Sequence, residues 1–210
     1  MRLVLASDTH EQEEKVVVPD GDIFIHTGDA TYHGAVDRIA KFANWLRGLP
    51  HKHKVFIAGN HDFCFENRDR DVCVNLIRES GTIYLENEAI EIDGLKIYGS
   101  PCSAWYFDWA FNVRRGADIA AVWAKIPDDT QVLLTHGPAY GMLDTTKAGE
   151  KVGDKDLLGR IDQLKQLRLF ACGHIHEGYG TAERNGVKFV NASSCNRHYQ
   201  PINPPIVIDL

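Results

Sequence analysis

Five short apolar runs in this chain each break off at a polar turn carrying Asp, Asn or His, and that recurrence restricts the folds open to it. The runs are Leu3-Val4-Leu5-Ala6, Ile23-Phe24-Ile25-His26, Val55-Phe56-Ile57-Ala58, Val132-Leu133-Leu134-Thr135 and Leu169-Phe170-Ala171-Cys172. Their hydrophobicity is continuous rather than alternating, as in strands buried on both faces. Behind them come Asp8-Thr9-His10, Gly28-Asp29, Gly59-Asn60-His61-Asp62, Thr135-His136-Gly137 and Gly173-His174-Ile175-His176. In an open α/β sheet, ligands gather beyond the carboxyl ends of the strands, so five such ends point to one shared crevice.

Residues 35–49 place Val36, Ile39, Ala40, Ala43 and Leu46 on one helical face, with Gly48 and Pro50 as the stop. Residues 71–80, 115–125 and 156–167 also read as helices. Asp93-Gly94 between Ile90-Glu91-Ile92 and Leu95-Lys96-Ile97-Tyr98 signals a hairpin. Val187-Lys188-Phe189-Val190 and Ile206-Val207-Ile208 read as late strands. Strand–helix alternation, with hairpins added in the middle and at the end, predicts an α/β sandwich with helices outside. Residues 137–155 are polar and Gly-rich without a period, and leave directly from His136; this long loop is expected to lie over the crevice. With no repeat, low-complexity tract or linker, one domain over residues 1–210 is expected.

The 210 residues, 44% apolar and 25% charged, are enough for a full core. A net charge of −6 argues against stable nucleic-acid binding, which draws its affinity from neutralising phosphates. The opening apolar run is too short for a signal peptide, and no stretch nears the roughly 20 apolar residues of a membrane helix. A cytoplasmic protein without a membrane partner is expected. Five scattered cysteines without a CxxC pair argue against a disulfide framework or a zinc knuckle.

Imidazole and carboxylate together suit Mn, Fe and Zn, with little to favour one. A carboxylate can bridge two ions, and glycines beside the ligands allow close backbone approach. Taken singly, Asp-Thr-His and Gly-Asp also fit plain strand-end turns, and His136 fits a hydrogen-bonded buried histidine. Gly-Asn-His-Asp and Gly-His-Ile-His are more specific. The five in this order, each after an apolar run, carry the metal reading.

The order D-x-H, G-D, G-N-H-D, H, G-H-x-H resembles the signature of the calcineurin-like metallophosphoesterases over nearly the whole chain. A narrower resemblance, to the metallophosphoesterase-domain-containing brain proteins and their bacterial relatives, rests on residues 19–30, Gly99-Ser100-Pro101 and Trp109-Ala110-Phe111-Asn112. Residues 134–138, 173–180 and 203–210 complete it. The resemblance implies a four-layer αββα sandwich, two mixed sheets flanked by helices. It implies two divalent metal ions, Mn first among Mn, Fe, Zn, Mg and Ni. Asp8, His10 and His176 would hold one, Asn60, His136 and His174 the other, and Asp29 would bridge them. Asn60 and His61 would contact the substrate phosphate, His61 would protonate the leaving oxygen, and Asp62 would orient His61. The complete ligand set, His174 included, implies a phosphoesterase, and the resemblance favours small phosphodiesters such as cyclic nucleotides. A single-strand nuclease, a phosphomonoesterase and a non-catalytic scaffold are the alternatives. Trp105, Tyr106, Phe107, Trp109 and Phe111 either stack on a base or pack a loop, and Arg114 and Arg115 either steer phosphate or stay solvated.

Overall fold

The computed structural model describes residues 1–210. In chain order it has β1 (Arg2–Ala6), β2 (Ile23–His26), α1 (Val36–Gly48), β3 (His53–Phe56), α2 (Arg70–Glu79), β4 (Ile83–Tyr84), β5 (Glu88–Ile92), β6 (Leu95–Ser100), β7 (Ser103–Ala104) and β8 (Asn112–Val113). There follow α3 (Ala117–Trp123), β9 (Val132–Thr135), α4 (Lys155–Ile161), β10 (Leu169–Cys172), β11 (Gly180–Arg184), β12 (Val187–Asn191) and β13 (Ile206–Asp209).

One sheet runs β13-β1-β2-β3-β4 and the other β11-β12-β10-β9-β6-β5. Both are mixed. β1 through β4 are mutually parallel with β13 antiparallel at one edge. β6, β9, β10 and β12 are parallel, with β5 and β11 as antiparallel edges.

Alternation along each strand builds the layers. Leu3 and Leu5 of β1 face a core shared with Ile97, Val132, Leu134 and Leu169 of the other sheet. Val4 and Ala6 face the opposite way, onto Ile39, Phe42 and Leu46 of α1 and Val74 and Ile77 of α2. On the far side, Leu133, Phe170 and Phe189 pack against Ile119 and Trp123 of α3 and Leu157 and Ile161 of α4. Both faces of both sheets are therefore covered, which is why the strands read as unbroken apolar runs. The four-layer αββα sandwich is present.

Two expectations need correction, and one strand was not foreseen. Helix α4 ends at Ile161 rather than near 167, because the chain continues in tight turns from Leu164 N–H to Ile161 O and from Leu167 N–H to Leu164 O. Those turns keep Leu164 and Leu167 buried at helix-like spacing. Strand β11 gives no apolar signal because it is a half-exposed edge. The segment 137–155 does not line the crevice. It is folded back on itself by bridges Ala139–Asp154 and Thr145–Lys151. Buried Asp144 accepts hydrogen bonds from Gly141 N–H (2.8 Å) and Gly153 N–H (2.9 Å). Asp154 caps α4 through Leu157 N–H (2.8 Å) and receives Trp123 Nε1–H (2.9 Å).

Candidate metal centre

The carboxyl ends of β1, β2, β3, β9 and β10 meet where a parallel bridge between Ser7 and Ser193 joins the two sheets. Each strand stops abruptly there. Asp8 (φ 49°), His10 (44°), Asp29 (56°) and His174 (67°) all occupy left-handed backbone. Such conformations cost about 1 kcal/mol or more for residues with a Cβ and persist only when surrounding bonds fix them. Here Asp8 N–H donates to Gly28 O (2.9 Å), His10 N–H to Asp29 O (3.1 Å), and Gly173 N–H to His136 O (3.1 Å). Buried His26 links the first two turns, accepting Gly28 N–H at Nδ1 and contacting Thr9 Oγ1 at 3.1 Å.

The side chains divide into two groups around Asp29. Asp8 Oδ1 lies 3.3 Å from His176 Nε2, which lies 3.3 Å from His10 Nε2. Asn60 Oδ1 lies 2.8 Å from His136 Nε2 and 2.7 Å from His174 Nδ1. Asp29 Oδ2 is 3.9 Å from His10 Nε2 and 3.3 Å from His136 Nε2, so it faces both groups. Asp8, His10 and His176, and separately Asp29, His136 and His174, bring their donor atoms within 4.8 Å of one another.

The imidazole tautomers fit cations. His10 Nδ1 bonds Thr31 O (3.2 Å), His136 Nδ1 bonds Thr27 O (2.9 Å), and His176 Nδ1 bonds Asn196 O (2.9 Å). A carbonyl only accepts, so each proton sits on Nδ1 and the Nε2 lone pair points inward. Lone pairs then face one another and the Asn60 oxygen, an arrangement that a shared positive charge stabilises. In the metal-free chain protons supply part of that charge. Burial opposes a proton on His136, but Asp29 beside it pushes its pKa up to about 9. His176 is likewise carried against burial to about 8 by its bond to Asp8. His10 and His174 are held down at about 4, chiefly by burial. Burial would raise Asp8 and Asp29, yet His176 and His136 respectively hold both below the usual carboxylate range. Two carboxylates, four imidazoles and an amide oxygen form a donor set for two divalent cations.

Residues 1–178 match the family described as calcineurin-like phosphoesterase. Metallophosphoesterase domain-containing protein 1 of Homo sapiens is 38% identical over 233 aligned positions, which cover 100% of this chain and 71% of that protein. The UPF0046 protein K07C11.7 of Caenorhabditis elegans is 35% identical, over 99% of this chain and 74% of its own length. The chain belongs to the calcineurin-like phosphoesterase family. The solved structure of TT1561 of Thermus thermophilus shares the fold, with a TM-score of 0.62 at 16% identity over 90% of this chain and 88% of that one. Family membership and the donor set together make the protein a metal-dependent hydrolase of the phosphoesterase kind with a dinuclear site.

The resemblance implies that His61 stands outside the ligands, although its donor atom also lies within 4.8 Å of those of His10 and Asp29. Its Nδ1 bonds Tyr32 O (2.8 Å), its N–H donates to Asp29 Oδ1 (2.8 Å), and its Nε2 lies 3.9 Å from Asp29 Oδ2. The Trp109 ring packs against it at 4.2 Å.

Asp62 does not contact the His61 ring, a correction to the expected carboxylate–imidazole pair. It accepts hydrogen bonds from Ala30 N–H (3.2 Å), Thr31 N–H (2.9 Å), Thr31 Oγ1–H (2.8 Å) and Gly59 N–H (3.0 Å). It thus fastens the Gly-Asp turn to the Gly-Asn-His-Asp turn and positions Asp29 and His61 through their backbones.

The aromatic cluster splits. Phe111 is buried, Trp109 leans on His61, and Trp105, Tyr106 and Phe107 are 51–66% exposed, with Tyr106 and Trp109 lining the crevice. Arg115 is structural, donating to Val152 O, Gly153 O and Asp154, while Arg114 stays exposed. The motifs do not mark Asn191, Ser193 and Tyr199, which the fold brings to the site. Asn191 Nδ2 donates to Ile175 O (2.8 Å), fixing the Gly-His-Ile-His turn, and Ser193 Oγ donates to Asp8 Oδ2 (2.9 Å). Tyr199 stands edge-on over His10 at 4.8 Å. A signal for two of them exists: Val187-Lys188-Phe189-Val190 ends in Asn-Ala-Ser-Ser, a sixth apolar run with a polar end.

Proposed function

We propose that the protein is a phosphodiesterase of the metallophosphoesterase-domain-protein subgroup, acting on small phosphodiesters, cyclic nucleotides among them. The observation that carries this is the inward-facing donor set divided around Asp29, with one further imidazole, His61, beside it. When bound, two divalent cations would neutralise phosphate charge and provide an activated water as nucleophile. Asp8, His10 and His176 would hold one and Asn60, His136 and His174 the other, with Asp29 between them. His61, its Nδ1–H fixed on Tyr32 O, would carry a transferable proton on Nε2 when cationic and present it to the leaving oxygen. The crevice holds about 260 Å³, suited to a small ligand rather than a folded polynucleotide. The similarity to metallophosphoesterase domain-containing protein 1 supports the subgroup.

The test compares Mn-dependent hydrolysis of bis(p-nitrophenyl) phosphate with that of p-nitrophenyl phosphate, for wild type and Asp29→Asn. Diester turnover that is lost with chelator and in the variant is expected. Turnover of the monoester alone would replace this reading with a phosphatase.

A further inference from the structure

The crevice has a floor and a mouth. Asp29 and Asn60 at the floor are only 2% and 4% exposed, whereas Tyr106, Glu177, Arg197 and Tyr199 at the mouth are exposed. Arg197 is the only lysine or arginine among the lining residues. Its side chain is uncommitted. Arg38, Arg70, Arg115 and Arg184 each meet a carboxylate, while Arg197 makes neither ion pair nor side-chain hydrogen bond. Glu177, the carboxylate at the mouth, instead accepts Lys147 N–H at 3.3 Å.

The backbone that carries Arg197 is fixed although the side chain is exposed. Residues 196–200 form a tight turn with Asn196 N–H on Gln200 O (2.9 Å) and Tyr199 N–H on Asn196 O (2.8 Å). The Asn196 side chain accepts His198 N–H (2.9 Å) and Gln200 N–H (3.1 Å). The turn is tied to the metal centre because Asn196 O also receives His176 Nδ1–H, and Tyr199 packs over His10. A guanidinium carried at the mouth of a crevice whose floor would receive the reacting phosphate is placed to meet whatever extends outward from it.

We propose that Arg197 is a specificity-determining residue favouring substrates that carry a second anionic group, such as another phosphate, beyond the ester that is cleaved. This rests on the phosphodiesterase reading above. Guanidinium pairs with phosphate through forked, charge-assisted hydrogen bonds. An exposed pair is weakened by solvent, so the effect is a preference of about twofold to fivefold rather than an absolute requirement.

The experiment uses two probes with the same scissile bond, thymidine 5′-(p-nitrophenyl phosphate) and its 3′-phosphorylated counterpart, with Mn²⁺. Alongside, binding of thymidine 5′-monophosphate and thymidine 3′,5′-bisphosphate is followed by isothermal titration calorimetry. Wild type is expected to favour the 3′-phosphorylated member of each pair through KM and Kd, less so at high salt. Arg197→Ala should abolish the preference while leaving kcat on the simpler diester within about twofold, and Arg197→Lys should keep part of it. A preference that survives Arg197→Ala overturns the proposal, as does an equal fall of kcat on both probes, which would place the guanidinium on the reacting phosphate. Absence of turnover on either probe, with the binding preference intact, would remove the phosphodiesterase reading and leave the anion contact standing.

Discussion

Asp62 shows how a residue can be legible as functional while its role is not. The Gly-Asn-His-Asp string marks it out, but its partners, Ala30 and Thr31, are some thirty positions away in sequence and invisible to spacing. Burial, with the charge of Asp29 behind it, pushes its pKa up to about 6, while Gly59 and Thr31 donate to the anion and pull the other way. Asp62→Asn would place an amide where one carboxylate oxygen now accepts. The variant should lose about 2–3 kcal/mol of stability and about 5–10 °C in Tm, and bind metal more weakly although no ligand is removed. Thermal melts with and without Mn²⁺ measure both effects; an unchanged melt and metal content would show that the network is dispensable. His61→Ala is the contrasting case. It should lose about 10²–10⁴-fold in rate while metal analysis still finds two ions per chain. Loss of an ion instead would make His61 a ligand, a role its 3.9 Å approach to Asp29 also permits.

At the level of elements, the strands that carry the site were plain in the sequence because burial on both faces leaves them uniformly apolar. The polar edge β11 and the short pair β7 and β8 were not, since pairing partners rather than composition define them. Asp8 and His10, or His174 and His176, would share a face only if the chain were extended there. The turns are instead left-handed at Asp8, His10 and His174, and His176 opens a single 3₁₀ turn. Glycine is what lets these turns close. A Cβ on Gly173, just beyond β10, would collide with Asp8 Oδ2 and Ser7 Oγ. Gly173→Ala should therefore displace Asp8, reducing metal affinity and activity by an order of magnitude or more, by analogy with losses on disturbing a ligand's supporting contacts. Gly48→Ala, where the added carbon meets nothing, is the control and should leave metal binding unchanged. Equal loading of the two variants by calorimetry would show that the turn tolerates the methyl group. The segment 137–155 was legible as irregular but not as folded back on itself, because Asp144 and Asp154 acquire their role only once the backbone folds around them.

For the whole molecule, the sandwich and the gathering of ligand side chains were readable from the order of motifs, whereas the electrostatic state of the gathered cluster was not. Charge arises from proximity across the two sheets: His136 comes from one and Asp29 from the other. That cluster gives the metal-free protein a characteristic pH dependence. His10, His26 and His174 sit at about 4, 3 and 4, below their ordinary 6.5, chiefly through burial. As pH falls below about 6.5 the unfolded chain takes up protons that these sites refuse, so stability declines. Asp62, pushed up to about 6, runs against the three over part of that range, because its contribution is present at low pH and lost as pH rises. His136 and His176, carried to about 9 and about 8, keep protons that the unfolded chain releases above 6.5. Their contribution is complete below 6.5 and lost as pH rises through 8 and 9. The chelator-treated protein should therefore melt highest near pH 6.5 and lose on the order of 5 °C in Tm by pH 9. With saturating Mn²⁺ the alkaline decline should vanish or reverse, because ligand imidazoles bind only as the neutral ring and metal affinity rises with pH. Differential scanning calorimetry at fixed ionic strength, with and without chelator, tests both halves. A metal-free Tm that climbs steadily from about pH 6.5 to 9 would mean that Asp29 does not hold a proton on His136, and that the cluster is wired differently from the geometry described.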